Sequence, residues 1–172
     1  MKAPELELSR YGDPVLRKTA LPVEKFDEEL TELADRMIET MRREDGIGLA
    51  APQVGEPLRL IVVDTSHDEA GVHVLVNPEI VSSSAENEAD DEGCLSLPGI
   101  TLAIKRPARV SVKAQNIKGE PYTIENAEGL FARALQHEID HLNGILLVDH
   151  VSSVQRALLR GKLKKITEAR HD

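Results

Sequence analysis

Aromatic residues and cysteine are scarce in this sequence. Phe, Trp and Tyr together make up 2% of the 172 residues, and Trp is absent. The hydrophobic core must therefore consist mainly of aliphatic side chains. Cys94 is the only cysteine, which excludes a disulfide bond within the chain. Taken alone, a single cysteine is most often a small buried apolar residue, so any chemical role for Cys94 depends on its surroundings.

Long apolar segments and a positive net charge are also missing. No segment approaches the roughly 20 apolar residues that a membrane-spanning helix requires. The N-terminal residues MKAPELELSR lack the apolar core of a secretory signal. A net charge of −9 argues against non-specific nucleic-acid binding by the body of the protein. We therefore expect a cytoplasmic protein in which residues 1–172 form a single domain.

Helices are predicted on both sides of a strand-rich middle. Apolar residues at helical spacing predict an amphipathic helix from residue 27 to about residue 43, which Gly46 and Gly48 then end. A second helix is predicted for residues 130–142, with Gly144 in its C-terminal stop signal.

The middle of the chain contains short β-branched runs bounded by turn-forming residues. These runs predict strands at residues 58–64, 72–76, 110–114 and 122–125, the last two joined by a hairpin turn at Lys118 and Gly119. The acidic stretch 82–92 is interpreted as a solvated loop, and residues 154–169 as a last helix. This order, without βαβ alternation, predicts an α+β fold with mostly antiparallel sheet.

Residues 136–144 read QHEIDHLNG and contain the pattern His-Glu-x-x-His. His137 and His141 leave the same face of a helix, where both imidazoles can reach one metal ion. Glu138 lies beside the first histidine and can accept a proton from water at the metal. The alternative is a chance match on an amphipathic helix. The other histidines lack comparable partners and are interpreted as surface or loop residues: His67, His73, His150 and His171.

The third metal ligand distinguishes between classes of metal hydrolase. In the metzincin pattern, HExxHxxGxxH, that ligand is a histidine, but the corresponding residue here is Leu147. A thermolysin-like enzyme would use a downstream glutamate, and the only one is Glu168, near the C-terminus. Cys94 is the remaining candidate, in the segment EGCLS (92–96). A thiolate and two imidazoles would leave one coordination position open for catalysis.

A glycine-containing segment, GIGLAAPQ, occupies residues 46–53. It follows a predicted helix and has no third glycine, so it does not match a dinucleotide-binding loop. A helix stop followed by a turn is the purely structural interpretation. The side-chain amide of Gln53 could also donate a hydrogen bond to a developing oxyanion.

Together, GIGLAAPQ (46–53), EGCLS (92–96) and QHEIDH (136–141) resemble the motifs of the peptide deformylase family, in the same chain order. The similarity extends from YGDPVLRKTA near the N-terminus to about Asp149. The resemblance implies a mixed antiparallel α+β domain with the HExxH helix at its centre. It also implies hydrolytic removal of the N-formyl group from the initiator methionine of newly synthesised polypeptides, by a cytoplasmic monomer.

The resemblance further implies a role for each motif residue. Gln53 and the Leu95 amide would stabilise the formyl oxygen, and Glu138 would transfer the proton. The Gly48 backbone would pair with the extended peptide, and Ile47 would help to form the methionine pocket. The metal ligands would be Cys94, His137 and His141. The other predicted substrate-binding residues are Gly46, Leu130, Arg133 and Ala134.

The chain departs from some family members in the substrate pocket. Thr101 stands where some members have an arginine, and Arg133 and Ala134 stand where some members are apolar throughout. The preference for residues after methionine is therefore left open. Outside the pocket, we expect Glu92 and Arg106 to pair and hold the Cys94 loop at the metal.

The identity of the metal and the macromolecular partners are expectations from the same resemblance. Cys/His₂ donors admit several ions, and the family implies Fe²⁺ in the cell, with Zn²⁺, Ni²⁺ or Co²⁺ substituting. Residues 151–172 contain six Lys/Arg and two acidic residues. This basic segment is predicted to contact ribosomal RNA near the peptide exit, the alternative being a solvated helix.

Two other functions remain as alternatives at this point. A zinc endopeptidase would use the same HExxH pattern, but Leu147 and the small size of the chain disfavour it. A catalytically silent metal-binding or ribosome-binding homologue would not need Glu138 and Gln53, which are both present.

Overall fold

The computed structural model describes residues 5–66 and 71–169. Its α-helices are α1 (Glu28–Arg43), α2 (Gly129–Leu142) and α3 (Ser153–Ala169). Its strands are β1 (Gly48–Ala50), β2 (Leu60–Asp64), β3 (Val72–Ser83), β4 (Asn87–Gly93), β5 (Thr101–Pro107), β6 (Arg109–Gln115) and β7 (Pro121–Glu128). Short 3₁₀ turns occupy Pro14–Arg17, Ala51–Val54 and Leu147–Asp149. The described helices are too short or too polar to cross a membrane.

Helix α1 forms where the sequence predicts it. The Asp27 side chain accepts a hydrogen bond from the Leu30 amide at 3.1 Å and so caps the helix N-terminus. The predicted stop is wrong in one detail, because the residue with a left-handed backbone after the helix is Asp45, with φ 56°. The Gly46 amide then donates to the Met41 carbonyl at 2.9 Å. Gly46 therefore contributes a backbone hydrogen bond to the end of the helix, but the left-handed backbone that ends it lies at Asp45 and not at Gly46 or Gly48.

The main sheet has five antiparallel strands in the order β1-β2-β3-β6-β7, and both of its faces are covered by helices. In β2, Ile61 and Val63 pack in the same core cluster as α2. Leu60 and Val62 point the opposite way and pack with the apolar side of α1. Burial on both faces explains why β2 is a continuous apolar run instead of an alternating one. The predicted α+β fold with mostly antiparallel sheet is confirmed.

Strand β3 continues well beyond the end predicted at residue 76. Asn77 adopts a left-handed backbone, with φ 52°, and the pairing of β3 with β6 shifts register between Val76 and Glu79. The Asn77-Pro78 pair therefore marks a bulge inside the strand and not its end. Elsewhere the prediction is closer, and the β6–β7 hairpin turns at Gly119, with φ 89°.

The interpretation of residues 82–92 as a solvated loop is wrong. Residues 82 and 83 end β3, and Asn87–Gly93 forms β4, which pairs with β5 in a separate two-stranded sheet. Five successive residues of β4 are exposed and only Glu92 is buried, so the strand carries no apolar pattern. β4 is extended because it pairs with β5, which is held in place by Leu102 and Ile104 pointing into a core cluster.

Helix α2 lies against the five-stranded sheet and ends at the predicted position. Ala132, Leu135 and Ile139 belong to the core cluster on that face of the sheet. Asn143 caps the helix, and Gly144 follows with φ 72°. A side chain at Gly144 would also lie 2.7 Å from the Arg17 carbonyl oxygen. Both constraints favour glycine.

Candidate metal centre and active-site cleft

Cys94, His137 and His141 converge on one point in the structure. Each offers one metal-ligand atom, and these three atoms lie within 4.8 Å of one another. Sγ of Cys94 is 3.3 Å from Nε2 of His141. These separations suit donors that share one ion, because metal bonds to sulfur and nitrogen measure about 2.3 Å and 2.0–2.1 Å for zinc. The residues present therefore fit a metal ion.

Cys94 reaches this point from the turn that follows β4. The Leu97 amide donates to the Cys94 carbonyl at 2.9 Å and closes the turn. The cysteine is half-buried and free, in contrast to the fully buried apolar residue that a lone cysteine first suggests. The histidines come from the buried side of α2, where both are less than a tenth exposed.

Among the side chains of the centre, the Glu92 carboxylate makes the most hydrogen bonds. Its Oε1 lies 2.9 Å from Nδ1 of His137 and accepts a hydrogen bond from Nη2 of Arg106 at 3.0 Å. Its Oε2 accepts from Nε of Arg106 at 2.7 Å and from Nη1 of Arg133 at 2.6 Å. The predicted pairing of Glu92 with Arg106 is present. Burial raises the Glu92 pKa, but the bonds from His137, Arg106 and Arg133 outweigh it and lower the pKa to about 2.

This arrangement fixes the orientation of the His137 ring. Since the ionised Glu92 can only accept hydrogen bonds, Nδ1 of His137 must carry the proton of that contact. Burial lowers the pKa of His137, but the charge of Glu138 and the contacts with Cys94 and Glu92 outweigh it and raise the pKa well above its usual value, so a metal ion at Nε2 would have to displace a proton from that nitrogen. Burial also lowers the pKa of His141 well below its usual value, which favours the neutral imidazole that metals bind.

Glu138 is buried beside this cluster, and one of its two carboxylate oxygens accepts no hydrogen bond from the described residues. Oε1 has no partner in the described part of the chain, and Oε2 is 4.0 Å from Nε2 of His137. Burial raises the pKa of Glu138 to about 7, against the opposing effect of His137. A carboxyl group with such a pKa can both accept and release a proton near neutral pH.

Gln53 and Leu95 border the same space. Gln53 is buried, and its Oε1 accepts a hydrogen bond from the Ala50 amide at 2.9 Å. Its Nε2 donates to Oγ of Ser96 at 3.2 Å and lies 3.6 Å from Sγ of Cys94. The Leu95 amide makes no hydrogen bond within residues 5–66 and 71–169. Both N–H groups are therefore near the centre, and that of Leu95 is unpaired.

A cleft of about 580 Å³ opens onto this centre. Leu130, half exposed, and Ala134 line one side. Thr101 also lines the cleft, at the position where some family members have arginine. The cleft brings together the predicted catalytic and substrate-binding residues: Gly46, Ile47, Gly48, Gln53, Leu95, Leu130, Arg133, Ala134 and Glu138.

Strand β1 forms one wall of the cleft through Gly48. It is the first strand of the five-stranded sheet and pairs with β2 on one side only. Its other edge therefore has backbone groups that an extended peptide could pair with.

Three contacts of the centre were not predictable from motif spacing. The sequence predicts that Arg133 contacts substrate, but its guanidinium donates to Glu92 and to two backbone carbonyls. Nη1 of Arg106 donates to Oδ2 of Asp140 at 2.9 Å. Nε2 of His150, an exposed residue as predicted, lies 2.8 Å from the same oxygen.

The other histidines do not join the centre. His73 lies in β3, and its ring centroid is 4.7 Å from that of Phe131. It is therefore a strand residue with a packing partner and not a loop residue. His67 and His171 lie outside the described residues.

Comparisons with known proteins find relatives over almost the whole chain. The family model for polypeptide deformylase matches residues 5–157. A peptide deformylase of Thermotoga maritima is 52% identical over 156 residues, which cover 91% of this chain and 93% of the relative. One of Thermodesulfovibrio yellowstonii is 53% identical over 161 residues, which cover 92% and 96%. The crystal structure of a peptide deformylase from Legionella pneumophila superposes with a TM-score of 0.90 at 45% identity and 98% coverage of both chains.

Proposed function

The chain belongs to the peptide deformylase family, and we propose from its geometry which residues remove the formyl group. Members of this family are metal-dependent hydrolases that remove the N-formyl group from the N-terminal methionine of newly synthesised polypeptides. The function expected from the three motifs is thereby confirmed, and the endopeptidase alternative is set aside. The convergence of Cys94, His137 and His141 on one point, with Glu138 beside them in the wall of the cleft, is the observation that best supports the proposed roles.

We propose that Cys94, His137 and His141 bind one divalent metal ion. Bound there, the ion would supply Lewis acidity and lower the pKa of a water molecule, to about 7 for zinc. Thiolate and imidazole donors accept Fe²⁺, Zn²⁺, Ni²⁺ and Co²⁺, and we propose Fe²⁺ as the ion in the cell because the family resemblance implies it. Such a site would be sensitive to oxygen, since a thiolate can be oxidised.

The chain's own residues would then move the proton and stabilise the developing charge. One oxygen of the Glu138 carboxylate takes a proton from the water that attacks the formyl carbon. Nε2 of Gln53 and the Leu95 amide donate hydrogen bonds to the formyl oxygen as it becomes negative. When the C–N bond breaks, Glu138 returns the proton to the departing amine nitrogen. One water is consumed, and formate and a polypeptide with a free α-amino group on its N-terminal methionine are released.

The walls of the cleft suit an extended peptide with an apolar first residue. The free edge of β1 at Gly48 can pair with the peptide backbone. We propose that Ile47, Leu130 and Ala134 contact the methionine side chain and the adjoining peptide, because all three are apolar and line the cleft. Gly46, the first residue of the segment GIGLAAPQ, also lines the cleft and would complete this wall.

Formate release from formyl-Met-Ala-Ser, measured anaerobically with Fe(II) and then with Zn(II), tests the proposed function. We expect formate release with both ions and no acetate release from acetyl-Met-Ala-Ser, since the cleft must admit only the smallest acyl group. No formate with either ion would contradict the proposal. Metal uptake without turnover would support a catalytically silent homologue, and casein cleavage without formyl-peptide turnover would support an endopeptidase.

We also propose that α3 contacts the ribosome near the peptide exit. Leu163 and Ile166 are buried in the core, so deleting the helix would damage the fold as well as remove its charge. A better variant replaces the exposed basic residues of α3 with glutamine, namely Arg156, Arg160, Lys162, Lys164 and Lys165. We expect ribosome co-sedimentation that weakens with salt and is lost in this variant, with unchanged formyl-peptide turnover. Salt-independent or unchanged binding would contradict the contact.

The oligomeric state and cellular location complete the proposal. We infer that the protein acts in the cytoplasm as a monomer, because nascent formyl-methionyl chains are made there and one chain supplies every residue of the centre. Light scattering should give the mass of one chain, and cell fractionation should recover the protein with the cytoplasm. A stable dimer or membrane-bound recovery would contradict these expectations.

A further inference from the structure

Arg133 lies one helical turn before His137 on α2 and points into the same buried region. Its side chain is 9% exposed, although it lies at the wall of the cleft. Nη1 donates to Oε2 of Glu92 at 2.6 Å and to the Ile104 carbonyl at 2.8 Å, and Nη2 donates to the Glu88 carbonyl at 2.9 Å. Within the described residues these are all of its polar contacts, so the guanidinium is committed to protein groups and not directed at substrate.

The contact with Glu92 completes the hydrogen bonding of that carboxylate. Each Glu92 oxygen takes part in two hydrogen bonds, Oε1 with His137 and Arg106, and Oε2 with Arg106 and Arg133. A carboxylate bonded on both oxygens in this way has little freedom to rotate. The direction in which Oε1 holds Nδ1 of His137 therefore depends on Arg133 as well as on Arg106.

Arg133 also balances the buried charge around Glu92. Arg106 is shared between two carboxylates, because it contacts both Glu92 and Asp140. With Arg133 present, two guanidinium groups face two carboxylates. Without Arg133, the Arg106 guanidinium would have to pair with both Glu92 and Asp140, and an excess negative charge would remain beside His137. Buried charges are tolerated only where they are paired.

A second effect of Arg133 concerns the position of Cys94. The carbonyls of Glu88 and Ile104 belong to β4 and β5, and β4 leads directly into Cys94. Arg133 thus connects the helix that carries both histidines with the strand pair that presents the cysteine. It does so together with Arg106 of β5, whose Nη1 donates to Asp140 of α2.

We propose that Arg133 is a positioning residue that orients His137 through Glu92 and fixes the β4–β5 strand pair that carries Cys94. The inference rests on the proposed role of Cys94, His137 and His141 as metal ligands. It assigns Arg133 to the metal centre and not to recognition of the peptide.

Binding of Co(II), followed by its absorption spectrum and by competition with a chelator, tests this role in Arg133→Met. We expect Co(II) affinity to fall by about 10–100-fold, the range typical when a partner of a metal-binding histidine is removed. The thiolate-to-cobalt absorption band should shift or weaken. In the metal-saturated variant, kcat for formyl-Met-Ala-Ser should fall while KM stays within about twofold of wild type, because substrate contacts are unchanged.

Two further variants make the outcome decisive. Arg109→Met is the matched control, since the Arg109 side chain is half exposed and its ion pair among the described residues is with the exposed Glu86, and it should leave Co(II) binding unchanged. Arg133→Lys keeps the charge but cannot reach three acceptors in the same geometry. Arg133→Lys should show an intermediate loss of Co(II) affinity. It replaces Arg133→Met as the test variant if circular dichroism shows that Arg133→Met does not fold.

Wild-type Co(II) affinity and spectrum in a folded Arg133 variant would overturn the inference. A raised KM with unchanged Co(II) binding would show that Arg133 contacts the peptide instead. Both results leave the proposed function intact, whereas failure of the wild-type protein to bind Co(II) would overturn the metal site itself and this inference with it.

Discussion

A methyl group on the α-carbon of Gly48 would lie 2.5 Å from Oε2 and 2.9 Å from Cγ of Glu138. The two residues meet because β1 packs directly against α2. Glycine is required at position 48 for this close approach and not for a left-handed backbone. The glycine-containing segment and the HExxH helix are therefore parts of one packing arrangement.

Gly48→Ala should lower activity by displacing Glu138. The added methyl group would push the carboxylate away from the cleft, and loss of a general base typically costs about 10²–10⁴ in rate. We expect a fall in kcat for formyl-Met-Ala-Ser within that range, with unchanged Co(II) binding because Glu138 is not a ligand. Gly161→Ala is the control, since a side chain there meets open space. A wild-type kcat in Gly48→Ala would show that catalysis does not depend on the close approach of Gly48 to the Glu138 carboxylate.

Glu138→Gln should separate activity from stability. The amide has nearly the same size but cannot accept a proton, so kcat should fall by about 10²–10⁴. The melting temperature of the metal-loaded protein should stay the same or rise, because burial raises the pKa of Glu138 to about 7 and so disfavours its ionised form, whereas the amide carries no charge. Glu39→Gln, on the exposed side of α1, should change neither quantity. Activity near the wild-type level would rule out Glu138 as the proton acceptor.

The residues of the centre could be predicted from sequence where a short-range pattern determines their geometry. His137, Glu138 and His141 share a helix, so their spacing alone places them on one buried side. Cys94 was identified by elimination of other ligands, and its distance from the histidines depends on how the β4–β5 pair packs against α2. Sequence spacing carries no information on that packing.

The errors have a common physical origin. The acidic strand β4 and the bulge at Asn77 take their conformations from neighbouring strands, and such tertiary effects override local preference. The alternation of Leu102, Ile104 and Arg106 in β5 was a usable signal, because all three are buried on one side of that strand. The partners of Arg133 were not predictable, since they come from segments about 30–45 residues away that the fold brings together.

Gln53→Glu should reduce kcat more than it changes KM. The substitution keeps an oxygen that can accept from the Ala50 amide but replaces the Nε2 donor near Cys94 with a second oxygen. Loss of one oxyanion donor typically costs about 10²–10³ in kcat. Gln155→Glu, at an exposed glutamine of α3, serves as the control. An increase in KM at constant kcat would assign Gln53 to ground-state binding instead.

Asp149→Asn should lower stability near neutral pH but not in acid. Burial raises the pKa of Asp149, but the hydrogen bonds from Arg17 and from the Leu146 amide outweigh it and hold the pKa below its usual value. The folded pKa of Asp149 is lower than the unfolded value of about 3.9. The ionised Asp149 side chain therefore contributes its full stabilisation of the folded state at pH values above the unfolded pKa. This stabilisation is lost as the pH falls through the folded pKa.

Urea unfolding of wild type and Asp149→Asn, with chelator present to exclude metal release in acid, measures this difference. The side chains of Arg17 and Asp149 are 41% and 27% exposed, so solvent screening limits the expected loss at pH 7 to about 0.5–1 kcal/mol. The difference should shrink steadily below about pH 4. Glu168→Gln should have no measurable effect, because its pair with Lys164 is 3.9 Å long and mostly exposed. A difference that persists unchanged in acid would mean that Asp149 acts through packing and not through its charge.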